Sequence, residues 1–299
     1  MSRLVGPVLI LVCTLIWGSA FLAQKLGADH YGPFAITCYR NVLGGVFLTL
    51  VLACSRRGSG RLTCSRAELT GGALSGACLF AAMVSQQIGI ERTTPGISAF
   101  LTANYVLLVP LFAWIVGRGF PDLSAWVGVV LALVGTCLIC FSDLTAQLSS
   151  LSLGAGEAWT LLCAALFAVQ IMLVDRFARN VDVLKFSMVQ LFASAACALP
   201  FVFLPSELAR ASWSGFIAGL PSLLYVGVLS SGIAYTLQNL GQAKTPPSLA
   251  AIIMSMESVF GALFGWLFFH DKMTVGQLTG CVLVFLAVIL SQVLSLSRK

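Results

Sequence analysis

Long apolar runs separated by short polar connections fill the whole chain. Ten runs lie near residues 5–24, 34–54, 69–90, 95–117, 123–141, 155–175, 183–204, 214–237, 246–269 and 274–295. A helix of about 20 apolar residues crosses a hydrocarbon core of about 30 Å. The pattern predicts an all-α integral membrane protein with ten transmembrane helices, and its connections leave no room for a soluble domain.

One polar hairpin occurs twice, as "QQIGIERTTPG" at residues 86–96 and "QNLGQAKTPPS" at residues 238–248. An offset of 152 superimposes Gln86 on Gln238, Gly89 on Gly241, Arg92 on Lys244, Thr93 on Thr245 and Pro95 on Pro247. The first copy joins predicted helices three and four, and the second joins helices eight and nine. Because each half contributes an odd number of helices, the second copy enters the membrane inverted. The pattern predicts two inverted five-helix repeats, residues 1–145 and 146–299.

An inverted repeat is the architecture of many secondary transporters, whose substrate site lies near the membrane midplane between the halves. The twin hairpins are therefore predicted to act as gates, through Thr94 and Pro95 in the first and Thr245 and Pro246 in the second. Thr245 is also predicted to cap helix nine. The alternative is a duplicated membrane enzyme or scaffold that transports nothing.

Composition supports a membrane protein, since 59% of the 299 residues are hydrophobic and 9% are charged. A soluble domain is about a quarter charged. The net charge of +6 comes from basic residues in short connections, which argues against a nucleic-acid site. With a cytoplasmic N-terminus, the inner segments hold twelve Lys and Arg and the outer segments four. Cytoplasmic loops carry this excess, so both termini are predicted inside.

The chain resembles the drug/metabolite transporter superfamily, in particular its EamA-type branch of bacterial metabolite exporters. The matching stretches are "LIWGSAFLAQK" at 15–25, "YRN" at 39–41, "ERTTPGISAFLTANYVLLVPLFAWIVG" at 91–117 and "SSGIAYTLQNLGQAKTPPSLAAIIMSMESVFGALFGWLFF" at 230–269. The resemblance implies a central cavity formed by helices one, three, four, six, eight and nine, with helices five and ten peripheral. It also implies the bacterial cytoplasmic (inner) membrane and transport out of the cell.

Glu257 is the strongest candidate site residue, because it lies about twelve residues into predicted helix nine. An ionisable group at mid-membrane is expensive and by default faces a cavity or a partner. Glu257 is predicted to bind the ammonium of a substrate or to carry a coupling proton. A structural hydrogen bond or an ion pair with Arg40 is the alternative.

Further polar and aromatic side chains are predicted to line the same cavity, although each is also compatible with helix packing. Tyr105 aligns with Glu257 at the offset of 152, and the glutamines of the hairpin ends align with each other. The predicted substrate-binding set is Glu257, Trp17, Tyr105, Gln86, Asn104, Gln238, Tyr235 and Gln170. Arg40 is suited to a substrate carboxylate, but its shallow position favours extension of its side chain to the outer interface.

These features predict a secondary active transporter that exports small organic metabolites, most simply amino acids or related amphipathic solutes, by alternating access. A multidrug exporter of hydrophobic cations is the nearest alternative. The sequence has no Walker loop, metal-ligand cluster or nucleophile motif, so no cofactor, metal or enzymatic activity is predicted. A small-molecule substrate and the lipid bilayer are the expected partners, and a monomer suffices to form the pathway.

Overall fold

The computed structural model describes residues 2–55, 63–93, 95–117, 119, 121, 123–140, 154–269 and 273–297. In that part of the chain the regular structure is helical throughout. The helices are α1 Ser2–Ala28, α2 Pro33–Cys54, α3 Arg66–Arg92, α4 Pro95–Thr102, α5 Tyr105–Ile115, α6 Leu123–Cys140, α7 Ala155–Phe177, α8 Val183–Val202, α9 Pro205–Leu208, α10 Trp213–Leu224, α11 Tyr235–Gln242, α12 Pro247–Met254, α13 Met256–Phe269 and α14 Val275–Ser297. A 3₁₀ turn, Ala178–Asn180, follows α7, and a π-helical segment, Tyr225–Ala234, joins α10 to α11.

Nine helical stretches among the described residues are long and apolar enough to cross a membrane. A shorter apolar helix, Ala125–Cys140, lies where the fifth span is predicted. The protein is therefore a multi-span helical membrane protein. The total of ten spans and the cytoplasmic termini stay predictions.

The fourth helical stretch of each half is interrupted at an equivalent residue. The sequence predicted unbroken helices over 95–117 and 246–269, but α4 ends at Thr102 and α12 ends at Met254, which are 152 residues apart. Polar side chains occupy both interruptions: Asn104 donates to the carbonyls of Phe100 and Leu101 (3.1 Å each), and Ser255 donates to Ile252 (2.6 Å). These bonds satisfy carbonyl groups at helix ends, which explains why the interruptions are tolerated.

The predicted eighth helix contains ten residues of π-helix, which apolar periodicity did not reveal. This segment packs closely on α2, because a Cβ added to Gly44 would lie 2.9 Å from the Gly227 carbonyl oxygen and 3.0 Å from the Gly232 nitrogen. π-Helical turns are rare and are frequently found at functional sites. The close contact places Ser230 and Ser231 against the face of α2 that carries Arg40.

The remaining helices pair along their lengths, with α3 against α7, α2 against α8, and α6 against α14. The last pair meets at Gly135 and Gly280, where a Cβ on Gly135 would lie 2.7 Å from the Gly280 carbonyl oxygen. Helices α6 and α14 contribute no residue to the central cavity described below. This position agrees with the peripheral place that the resemblance implied for helices five and ten.

A central cavity as the candidate functional site

A cavity of about 40 Å³ lies at the centre of the helix bundle and draws its walls from both halves of the chain. It is lined by Trp17, Gln24, Arg40, Gln86, Thr102, Tyr105, Phe167, Ile171, Ser230, Tyr235, Gln238, Met254 and Glu257. At about 10–15 Å³ per water molecule, this space holds roughly three waters. A solute the size of an amino acid enters only after the walls separate.

Helix spacing brings several of these side chains to one face. Trp17 and Gln24 are seven residues apart on α1, and Phe167 and Ile171 are four apart on α7, so each pair lies on one side of its helix. The Trp17 ring packs edge-on against Tyr235 with 4.8 Å between ring centroids. The Trp17 indole N–H donates to the Ser230 carbonyl at 3.3 Å. The aromatic wall is thus fixed to the π-helical segment.

Glu257 contributes a carboxylate to the cavity from the first turn of α13. Its side chain keeps partial exposure, as expected for a group on a cavity surface. Among the described residues, no hydrogen bond or ion pair reaches this carboxylate. The alternative of an ion pair with Arg40 is therefore not realised in this structure.

Arg40 lies in the cavity wall and is 5% exposed, so the expectation that it extends to the outer interface was wrong. Its guanidinium donates to Ser231 Oγ (2.9 Å), Ser230 Oγ (2.8 Å) and Gln24 Oε1 (3.2 Å). The π-helical segment supplies the two hydroxyls, which gives Arg40 buried partners deep in the bundle. Depth along α2 could not reveal this arrangement.

Much of the lining follows the repeat. The offset of 152 relates Tyr105 to Glu257, Gln86 to Gln238 and Thr102 to Met254, and all six residues line the cavity. For the opening helices of each half the offset is 150, as the starts of α2 at Pro33 and α8 at Val183 show. That offset relates Trp17 to Phe167, which also line the cavity. The cavity therefore lies between repeat-related surfaces.

Six of the eight predicted substrate-binding residues line this cavity: Glu257, Trp17, Tyr105, Gln86, Gln238 and Tyr235. Gln170 lies behind it, fully buried, and accepts a hydrogen bond from Gln238 Nε2 at 3.3 Å. Asn104 makes the two carbonyl contacts at the α4–α5 interruption and is outside the lining. The structure thus places Gln170 and Asn104 where they support lining residues.

Seven lining residues lie outside the predicted substrate-binding set: Gln24, Arg40, Thr102, Phe167, Ile171, Ser230 and Met254. The offset of 152 from the hairpins relates Trp17 to Val169, and only the offset of 150 seen in the structure relates it to Phe167. Thr102 and Met254 are also repeat-related, but each is unremarkable in its own apolar run. Ser230 and Ile171 carry no comparable signal.

The two predicted gate hairpins each pack against the helix that opens the other half. Gly89 of the first hairpin lies close to Gly156 and Thr160 of α7. Gly241 of the second hairpin lies close to Gly6 and Ile10 of α1. Both contacts are closed in this structure.

The residues predicted to form the gates are placed unequally. Thr94 lies outside the described residues, and Pro95 begins α4. Thr245 is not the N-cap of α12; the exposed Pro246 occupies that position, with Pro247 in the first turn. Pro247 fixes a backbone angle that suits a helix start, so no side-chain cap is needed. The buried Thr245 instead packs against Gly6.

A second cavity of about 340 Å³ lies beside the start of α2, with Tyr31, Tyr39, Glu207, Arg210 and Trp213 in its wall. The Glu207 carboxylate accepts hydrogen bonds from the backbone N–H of Ala35 (2.9 Å) and Phe34 (3.4 Å). It thereby provides acceptors for two backbone N–H groups of the first turn of α2, which have no partner within the helix. Burial raises the pKa of Glu207, and the two backbone hydrogen bonds oppose that rise.

Within the described residues, no group of three His, Cys, Asp or Glu side chains is arranged to hold a metal ion. The central cavity is lined by amides, aromatic rings, hydroxyl groups, two aliphatic side chains, one guanidinium and one carboxylate. Such a surface binds a polar organic molecule through hydrogen bonds and charge.

The sequence matches the model of the EamA-like transporter family twice, over residues 4–141 and 154–292. An uncharacterized transporter of Archaeoglobus fulgidus is 27% identical over 289 residues, covering 97% of this chain and 86% of that protein. The uncharacterized transporter YoaV of Bacillus subtilis is 22% identical over 277 residues, covering 92% of each. A solved crystal structure shares 17% identity and superimposes with a TM-score of 0.76 over 98% of both chains, which shows the fold alone.

Proposed function

Because the chain belongs to the EamA-like transporter family, we propose that it is a secondary active transporter of small zwitterionic metabolites, amino acids or closely related amphipathic solutes. The observation that carries the proposal is the Glu257 carboxylate, which faces the central cavity without a partner among the described residues. A carboxylate within a membrane-spanning helix and without a partner is expensive. A substrate ammonium would compensate it.

The rest of the cavity suits the remainder of such a solute. Gln86 and Gln238 offer amide groups that hydrogen-bond polar atoms, and Trp17, Tyr235 and Phe167 offer aromatic surface to an apolar side chain. Glu257 is also the candidate for carrying the coupling proton. In that role Glu257 would release the substrate ammonium when the carboxylate takes up the proton.

Alternating access explains how a solute reaches so small a space. Each hairpin closes on a helix of the opposite half, so separating one contact at a time opens the cavity to one side of the membrane. In the predicted orientation the first hairpin faces outside and the second faces the cytoplasm. We place the protein in the bacterial inner membrane, with export as its direction.

Export of hydrophobic cations is the second candidate, and the Trp17–Tyr235 pair near Glu257 favours it, since aromatic faces attract cations. Arg40 in the same wall repels a cation that has no balancing negative charge. We therefore favour a zwitterion.

Solute counterflow in proteoliposomes tests the proposal, with radiolabelled neutral, aromatic and cationic amino acids and a panel of cationic dyes. Wild-type protein should exchange at least one neutral or aromatic amino acid, and Glu257→Gln should reduce that exchange at least about tenfold, corresponding to about 1.4 kcal/mol. Glu207→Gln, a buried carboxylate outside the central cavity, is the matched control and should retain exchange.

Each other outcome has a distinct meaning. Exchange of dyes without amino acids would establish the cation exporter. Exchange that survives Glu257→Gln would remove Glu257 from the site. An imposed pH gradient should drive accumulation by the wild type, whereas a uniporter would be insensitive to it. No flux of any solute would favour a membrane enzyme or scaffold.

A further inference from the structure

Arg40 is a buried cation whose described hydrogen-bond partners are all neutral. They are two serine hydroxyls of the π-helical segment and the Gln24 amide oxygen on α1. No carboxylate of the described residues lies within 4.0 Å of the guanidinium. A buried charge is normally paired with an opposite charge. Among the described residues, Arg40 therefore lacks the negatively charged partner that a buried cation normally has.

The hydrogen-bond inventory of this side chain is also incomplete. A guanidinium has five N–H donors, and three of them are used, one each by Ser231, Ser230 and Gln24. The two that remain belong to the terminal nitrogens of a group that lines the cavity. A planar pair of donors matches the two oxygens of a carboxylate.

The position of the guanidinium is fixed by three hydrogen bonds to two elements, the π-helical segment and α1. The close approach of α2 to the π-helical segment at Gly44 and Gly227 brings the serines to Arg40, while Gln24 approaches from α1. A side chain held in this way loses little conformational freedom when a ligand binds, and such preorganisation increases affinity.

The internal repeat does not account for an arginine at position 40. At the offset of 150, Arg40 corresponds to Gln190 of α8, which accepts a hydrogen bond from Asn239 Nδ2 at 2.7 Å inside the bundle. The first half thus has a cation at the cavity where the second half has a buried amide. Glu257, from the second half, provides the opposite charge in the same cavity.

We propose that the Arg40 guanidinium binds the carboxylate of the transported solute, while Glu257 binds its ammonium. The inference rests on the proposed function and narrows it: the substrate carries both groups, and the carboxylate is needed for recognition. The apolar side chain of the solute then packs on the aromatic and aliphatic part of the cavity wall.

The test compares an exchanged amino acid with its carboxamide, which keeps the ammonium and the side chain but lacks the negative charge. In competition counterflow, wild-type protein should prefer the amino acid by at least about 30-fold, since losing one partner of a buried charged pair is costly. Arg40→Gln should bring this preference close to one. Arg40→Lys, which keeps the charge but lacks the paired donors, should give an intermediate value.

The preference ratio separates recognition from folding, because a structural role would lower exchange of both compounds equally. An unchanged ratio in both variants overturns the assignment of Arg40. A wild type that exchanges the carboxamide as well as the amino acid also overturns it, without any variant. If the wild type exchanges no amino acid at all, the proposed function fails first. If Arg40→Gln does not fold, the Arg40→Lys ratio decides.

Discussion

The two hairpins make equivalent contacts by different means. In both, a glycine at the end of one helix packs on the first helix of the opposite half. A Cβ added to Gly241 would lie 2.8 Å from the Gly6 carbonyl oxygen, whereas one added to Gly89 would lie 3.3 Å from the Gly156 carbonyl oxygen. At the hairpin glycine the second contact is therefore the closer one, backbone against backbone. On the facing helices the two are alike, since a Cβ added to Gly6 or to Gly156 would lie 2.9 Å from a carbonyl oxygen of the hairpin.

The first hairpin makes polar side-chain contacts at Glu91 and Thr93 that the equivalent Ala243 and Thr245 of the second do not make among the described residues. Thr93 donates to Glu157 Oε1 at 2.5 Å, and Glu91 pairs with Arg210 at 3.0 Å. The equivalent of Thr93 is Thr245, whose buried hydroxyl has no hydrogen-bond partner in the described part of the chain. Polar contacts that are partly exposed contribute about 0–1 kcal/mol, whereas disturbing close packing costs about 1–3 kcal/mol. We therefore expect the first hairpin to open more readily than the second.

Two native cysteines report on the two contacts. Cys13 lies three residues beyond Ile10 on α1, and Cys163 lies three residues beyond Thr160 on α7. The two cysteines are 150 residues apart and both fully buried. Opening the second hairpin should expose Cys13, and opening the first should expose Cys163. Alkylation by N-ethylmaleimide in membranes, followed at each cysteine by peptide mass spectrometry, measures both.

The largest effect is expected for Gly241→Ala. Its methyl group would meet Ile10 Cγ1 at 2.5 Å and the Gly6 carbonyl oxygen at 2.8 Å, and backbone cannot rotate away. Overpacking of this kind costs about 1–3 kcal/mol. The Cys13 alkylation rate should increase about tenfold or more, with little change at Cys163.

Gly89→Ala is the matched variant of the first hairpin. Its methyl group would displace the Thr160 hydroxyl from its hydrogen bond to the Gly156 oxygen, and would lie 3.3 Å from that oxygen, farther than the 2.8 Å of the equivalent contact at Gly241. The increase at Cys163 should be smaller than the increase that Gly241→Ala causes at Cys13. Equal increases would refute the difference in tightness, and an increase at the wrong cysteine would refute the assignment of the hairpins as opposing gates.

A smaller effect is expected for Thr93→Val, which removes the hydroxyl bound to Glu157 while keeping the side-chain shape. A hydrogen bond is worth about 1 kcal/mol net, so the Cys163 alkylation rate should rise about three- to fivefold. The paired variant Thr245→Val removes a hydroxyl without a described partner and should leave the Cys13 rate unchanged. The comparison fails if Thr245→Val has the larger effect of the two.

The symmetric part of this molecule was open to prediction from sequence. The apolar runs indicated the helices, and the doubled hairpin indicated the repeat. The offset of 152 then related Tyr105 to Glu257, and both line the cavity. These features follow from periodicity and internal similarity, which a single sequence contains.

The asymmetric part could not be predicted in the same way. The depth of Arg40 along α2 is readable, but the direction of its side chain depends on Ser230 and Ser231. Those hydroxyls lie on a π-helical segment, and this segment packs closely against Gly44 of α2. Neither α2 nor the π-helical segment alone carries this information, because it arises from tertiary contact.

The smallest expected effect is the pH dependence of stability that Glu207 causes. This residue lies near the Arg210–Glu91 ion pair, which supports the first hairpin. Burial raises its pKa, so the folded protein binds this proton more tightly than the unfolded chain does. Stability should therefore fall as the pH rises from about 4.3, the ordinary glutamate value, through the raised pKa. The glutamine side chain of the Glu207→Gln variant cannot ionise, so this part of the plot of stability against pH should be flatter for the variant.

Thermal unfolding in detergent between about pH 4 and pH 8 measures the difference between the two profiles. The melting temperature of wild-type protein should decline across that window relative to Glu207→Gln. A wild-type profile that rises relative to the variant would mean that the N–H groups of Phe34 and Ala35 stabilise the carboxylate more than burial destabilises it. The support of the first hairpin would then strengthen with pH, and the expected ease of its opening would hold only in acid.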